Sequence, residues 1–177
     1  MDIESNIHTT FLDVGTGHHR KWSGHNTVTS GCLSFLRDML ASEARTVTAG
    51  AETLISGLPR PPTYIAVGSG FNGGSWVTGR YMTSVPGEFL RATITSGGVA
   101  GQAVTLYAFL ASGAGAGPTS QGMPIGAYGI YAGEATGVSW PTGSGVLLAI
   151  YRDPTQQNKN FSNTLSIHWT LTLSGKL

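Results

Sequence analysis

The sequence predicts a mainly β fold, a β-sandwich or jelly roll with one short α-helix near the N-terminal third. Three observations point there. The segment Thr164–Leu173 alternates without a break: Leu165, Ile167, Trp169, Leu171 and Leu173 share one parity, while Thr164, Ser166, His168, Thr170 and Thr172 share the other. Successive side chains on a strand face opposite ways, so this is a half-buried strand whose apolar face needs a cover. Upstream, short apolar runs are ended again and again by glycine, proline or asparagine, the punctuation of turns between strands. Glycine itself reaches 26 of 177 residues, scattered through loops such as Gly68–Gly70 and Gly113–Gly117 with no collagen period.

Taken in order, Ile7–Val14 reads as an extended arm or an edge strand. A polar, glycine-bearing loop, Gly15–His25, follows it. Residues 1–26 are therefore expected to form an N-terminal arm and loop, ordered on a neighbour rather than in the monomer. Thr29 or Ser30 can cap a helix in which Cys32, Leu33, Phe35, Leu36, Met39 and Leu40 recur at helical spacing. Its expected role is to plug one end of the sheet system. Ala49–Ala51 and the proline-rich stretch Leu58–Pro62 read as connections, because successive prolines continue neither helix nor central strand.

From Tyr64 the text is β, with strands expected over Tyr64–Val67, Glu88–Thr95, Ala103–Leu110, Ile125–Tyr131, Val146–Tyr151 and Thr164–Leu173. Residues 27–177 thus make a single domain. In Ala103–Leu110 both faces carry apolar groups: Val104, Leu106 and Leu110 share one, Tyr107 and Phe109 the other. A second sheet covers only one of them. The other is covered by the helix or by another copy of the chain.

Composition excludes several function classes. Charged residues are only 11% of the chain, against about 25% in an ordinary soluble domain. Such a surface suggests one covered by neighbours. A net charge of +1 gives no electrostatic case for binding nucleic acid or an anionic membrane. The densest apolar run, Val146–Tyr151, is too short to cross a bilayer as a helix. Asp2 and Glu4 stand where a secretion signal would be basic, and the single Cys32 allows no internal disulfide. The expectation is a soluble protein made in a cytoplasm.

Candidate chemistry is sparse. His18, His19 and His25, near Asp13, are the only residues of metal-binding type clustered in sequence, on a loop that sets no coordination geometry by itself. No metal and no cofactor is expected. The carboxylates are not paired, no Gly-x-Ser-x-Gly elbow precedes a helix, and no phosphate loop occurs, so an enzyme is not expected. Cys32 lies on the apolar helix stripe and reads as a small buried hydrophobe. Trp22, Trp76 and Trp140 stand in glycine-rich, loop-like surroundings, where a tryptophan anchors a loop, fills an interface or stacks on a sugar. Tyr107, Phe109 and these tryptophans are the candidate interface residues. Asn72, Asn158, Asn160 and Asn163 would supply polar contacts in the glycan reading.

Six short elements in order resemble the small structural proteins of tailed-bacteriophage virions. They are Val28–Leu33, Ile65–Gly70, Glu88–Arg91, Gly129–Tyr131, Leu148–Pro154 and Leu165–Leu171, spanning most of Thr27–Ser174. Tyr128 precedes Gly129 where that family often has an acidic residue. The resemblance implies a non-enzymatic virion component assembled in the host cytoplasm, whose partners are copies of itself and other virion proteins. A tail, collar or fibre-attachment role is favoured, with capsid decoration as the alternative. A host-glycan-binding module is the alternative from a different class. No catalytic residue carries over.

Overall fold

The computed structural model describes residues 2–29, 32, 45–49, 52–57, 62–70, 82–114, 122–132 and 145–174. The described strands are β1 (Asp2–Asp13), β2 (His19–His25), β3 (Thr27–Val28), β4 (Arg45–Ala49), β5 (Glu52–Gly57), β6 (Pro62–Gly68), β7 (Glu88–Ala100), β8 (Ala103–Leu110), β9 (Met123–Ala132), β10 (Val146–Lys159) and β11 (Asn163–Ser174). β4 and β5 pair only with each other; the rest form one nine-stranded sheet in the order β2-β1-β11-β8-β7-β6-β9-β10-β3. Every pairing is antiparallel.

The two edge strands of this sheet, β2 and β3, are separated in the chain by Asn26 alone. The sheet must therefore curl until its edges meet, which makes it barrel-like. At the seam Asn26 N–H donates to Ser5 O (2.8 Å) and Thr29 N–H to Leu148 O (2.9 Å). Tyr151 of β10 leans over Gly24 of β2, where a Cβ would overlap its ring. Glycine at 24 lets the seam close.

The expectation of a mainly β chain holds, but the division into two facing sheets does not appear in the strand pairing. β7 is the reason. Its first half, Glu88–Thr93, pairs with β6, and its second half, Ile94–Ala100, pairs with β8, with irregular register at Ile94/Ser96. A strand that changes partner part-way turns the corner between two sheets and joins them into one.

The N-terminal segment is likewise not an arm. β1 lies between β2 and β11, and its pairing with β11 runs unbroken from Asp2↔Ser174 to Asp13↔Asn163. Ile7 and Phe11 are buried in the core, and Ser5 and Thr9 are buried with them. The stretch expected as a loop after it contains β2, whose Trp22 packs on that core. Residues 33–40 of the expected helix lie outside the described residues, as do Trp76, Trp140, Asn72 and 58–61 of the proline-rich connection. Cys32 is described and buried, with its N–H on Thr29 O (3.1 Å).

The barrel interior follows strand parity, except at Ile125 near the start of β9. Leu165, Ile167 and Trp169 of β11 point inward with Leu106, Ala108 and Leu110 of β8, Ile65 and Val67 of β6, and Ile125, Tyr128 and Ile130 of β9. Burial of each large apolar side chain contributes about 1.5–3 kcal/mol. On β6, β9 and β10 the opposite face is covered too: Ala66, Ala127, Tyr131, Leu147 and Ile150 pack with Val85. Gly129 leaves room there, since a Cβ would collide with Val85 and Leu147 side chains. Tyr131 fastens this cover: its hydroxyl accepts the Val85 N–H (2.9 Å), and the Arg91 guanidinium, ion-paired with Glu88, lies 4.2 Å from its ring centroid. Two-sided burial explains why β9 and the start of β10 read as continuous apolar runs.

Candidate functional site

The part of the sheet formed by β2, β1, β11 and β8 has an open outer face, and its composition follows from alternation. Because Ile7, Phe11, Ile167, Trp169, Leu106 and Ala108 turn inward, their neighbours turn out. One cross-strand row reads Ser23, His8, His168, Tyr107. The next reads His25, Asn6, Thr170, Thr105, and the row on the other side Lys21, Thr10, Ser166, Phe109. Phe109 is 44% exposed and Tyr107 is half-buried.

The rows are internally connected. The Tyr107 and His168 rings lie 4.8 Å apart at 56°, and the Thr105 and Thr170 hydroxyls are 3.2 Å apart. Two grooves flank His8. One, of about 380 Å³, is lined by Asn6, His8, Ser23, Gly24, His25 and Thr170. The other, of about 160 Å³, is lined by residues that include Thr10, Lys21 and Ser23.

The interface candidates described by the structure separate. Tyr107 and Phe109 share the open face. Trp22 has the opposite parity: it sits half-buried in β2, edge-on to Phe11 (5.6 Å, 88°), packs against the core and borders the smaller groove. Of the asparagines, Asn163 is buried and donates to Asn158 O (3.3 Å), and the Asn160 carboxamide accepts from Ser162 N–H (3.0 Å). Both hold the connection from β10 to β11. Asn158 remains exposed.

The histidine candidates do not converge either. His18 lies in the β1–β2 turn and His19 at the start of β2, with His25 at its far end. Asp13 serves the same turn, accepting from the N–H groups of Gly15 and Thr16 (3.0 Å each). Its carboxyl is held below the usual value chiefly by the Thr16 N–H, with Gly15 and Arg20 adding to it. Among the described residues, no group of three or more His, Cys, Asp or Glu is placed to hold a metal. What sequence reasoning missed is the pair His8 and His168. They come from opposite ends of the chain and meet only through the β1–β11 register.

A second polar cluster lies inside the barrel. The Trp169 indole N–H donates to Ser5 Oγ (2.7 Å). Asn26, its amide oriented by the donors around it, accepts from Trp169 Nε1 (2.9 Å), Ser5 Oγ (3.0 Å) and Asn6 N–H (3.3 Å). Further along, Tyr128 and Tyr151 stack (6.1 Å, 30°) beside buried Asp153, whose Oδ1 accepts from Thr155 N–H (2.9 Å). Burial first, and Asp153 second, push the Tyr128 phenol well above its ordinary value. The Thr9 hydroxyl opposes this without closing a hydrogen bond of normal geometry. The same two causes raise Tyr151. Burial also raises the Cys32 thiol, which leaves it protonated and unreactive near neutrality.

The exposed face thus offers aromatic rings, hydroxyls and imidazoles for binding. No family model, no curated protein and no solved structure matches the chain.

Proposed function

We propose that this protein is a non-enzymatic structural component of a tailed-phage virion that works in multiple copies, in the tail, collar or fibre attachment rather than as capsid decoration. The observation that carries this reading is the open face bearing Phe109, 44% exposed beside Tyr107, on a chain with only 11% charged residues. An exposed ring on a charge-poor sheet is what a self-association surface needs, because desolvating such a surface costs little. The ordered motifs from Val28 to Leu171 supply the link to virion proteins.

Two measurements test it. Light scattering of the wild type and of Phe109→Asp reads self-association: the wild type is expected above monomer mass and the variant at monomer mass with an unchanged melt. A monomeric wild type at high micromolar concentration removes the multi-copy reading. Quantitative mass spectrometry of purified particles reads incorporation. About a dozen copies fits a collar or tail position, hundreds fit decoration, and absence from the particle rejects the virion role.

A further inference from the structure

His8 and His168 are direct cross-strand partners on the outward face of an antiparallel pair. Side chains so placed have Cβ atoms about 4.5–5.5 Å apart. Two imidazoles leaning toward one point from that separation can share an ion at metal–nitrogen distances of about 2.0–2.1 Å. Both histidines are exposed, so their ligand nitrogens are open to solvent and their rings can change rotamer cheaply.

We propose that His8 and His168 form a two-histidine site for a borderline divalent transition metal, Zn²⁺, Ni²⁺ or Cu²⁺, with water in the remaining positions. The surroundings fit that ion class. The Tyr107 ring packs against His168 from β8, on the side away from His8, and leaves the His8 side of the imidazole to the ion. Grooves on both sides of His8 leave space for a hydrated ion, and the hydroxyls of Ser23 and Thr170 stand beside them to hold its waters. The larger groove is shared by His25, a third and more distant imidazole. The rows through His8 and Asn6 carry no carboxylate from β2 to β8, which disfavours Ca²⁺ and Mg²⁺. Lys21 borders the smaller groove and opposes any cation, so the site is a modest one.

The site does not depend on the virion reading. Calorimetric titration of the full, untagged chain with zinc chloride and with nickel chloride near neutral pH tests it. One saturable ion per chain is expected. His8→Ala and His168→Ala should each weaken binding by more than about tenfold, since even the loss of an outer-shell partner costs that much. His18→Ala should leave it unchanged. All three variants should melt like the wild type without metal, because the side chains are exposed. No saturable binding, binding indifferent to either His8→Ala or His168→Ala, or binding lost with His18→Ala would each overturn the proposal.

Discussion

The indole N–H of Trp169 donates to Ser5 Oγ across 2.7 Å inside the barrel, tying the last strand to the first. The same hydroxyl meets Asn26, the residue at the seam between the sheet's two edges. Ser5 thus links an interior tryptophan, a central strand and the closure. Ser5→Ala should destabilise the protein by about 1–3 kcal/mol, the cost of leaving a buried polar group short of a partner. Chemical denaturation followed by tryptophan fluorescence reads this directly. A change under about 0.5 kcal/mol, the range of ordinary surface substitutions, would mean that Asn26 alone satisfies the indole.

Removal of residues 2–13 should abolish cooperative unfolding. β1 is hydrogen-bonded to neighbours on both sides and contributes Ile7 and Phe11 to the core. Phe11→Ala alone is expected to cost about 3–5 kcal/mol, as for other buried aromatic truncations. Circular dichroism melts of the truncated and substituted chains check both. A truncated protein that still melts cooperatively would contradict the central position of β1.

The seam gives a steric test with an internal control. A methyl group on Gly24 would overlap the Tyr151 ring, whereas one on Gly98 of β7 would meet nothing within 4 Å. Gly24→Ala should cost about 1–3 kcal/mol, the usual penalty of overpacking. Gly98→Ala should be neutral or stabilising, by up to about 1 kcal/mol, because it restricts the unfolded chain. Adding Tyr151→Ala to Gly24→Ala should relieve most of the clash. Equal effects at the two glycines would show that the seam is looser than its geometry implies.

How far the sequence spoke for itself depended on whether the signal was local. The strands from β6 to β11 were legible because alternation, or in β9 and early β10 a continuous apolar run, and turn residues lie within each segment, though β7 and β10 run on past the expected ends at Thr95 and Tyr151 to Ala100 and Lys159. The parity of Leu165, Ile167 and Trp169 against Ser166, His168 and Thr170 is the burial pattern that forms. β1 was harder because two of its inward residues, Ser5 and Thr9, are polar and dilute the alternation. β2 carries Arg20, Trp22 and Gly24 on its inward parity, only one of them a large apolar residue, and it is a strand because β1 offers it an edge. The barrel rests on β7 changing partners, and the His8–His168 pair on a register between strands at opposite ends of the chain. Neither leaves a mark within a single stretch of sequence.

Alkaline pH should expose two opposing groups of residues. Lys159 is buried, its ammonium donating to Asn160 O (3.0 Å), and burial holds its pKa below the ordinary 10.5. Between that lowered value and 10.5 the unfolded chain binds more protons than the folded one, so stability rises with pH through this window. Tyr128, Tyr131 and Tyr151 act in reverse. Burial raises each above 10.0, so the folded chain holds its protons longer and stability falls as pH climbs past 10. The stability profile should therefore climb toward about pH 10 and then drop, unlike the profile of a protein with exposed lysines and tyrosines. Lys159→Met should raise stability near neutrality and flatten the climb while leaving the drop. Tyr128→Phe, which removes a buried hydroxyl with no hydrogen bond, should soften the drop at little cost near neutrality. Denaturant midpoints collected from about pH 7 to 11 for the three chains decide the matter. If Lys159→Met lowers stability near neutrality, the buried amine is held by more than the single carbonyl contact and the assignment of the climb to Lys159 fails.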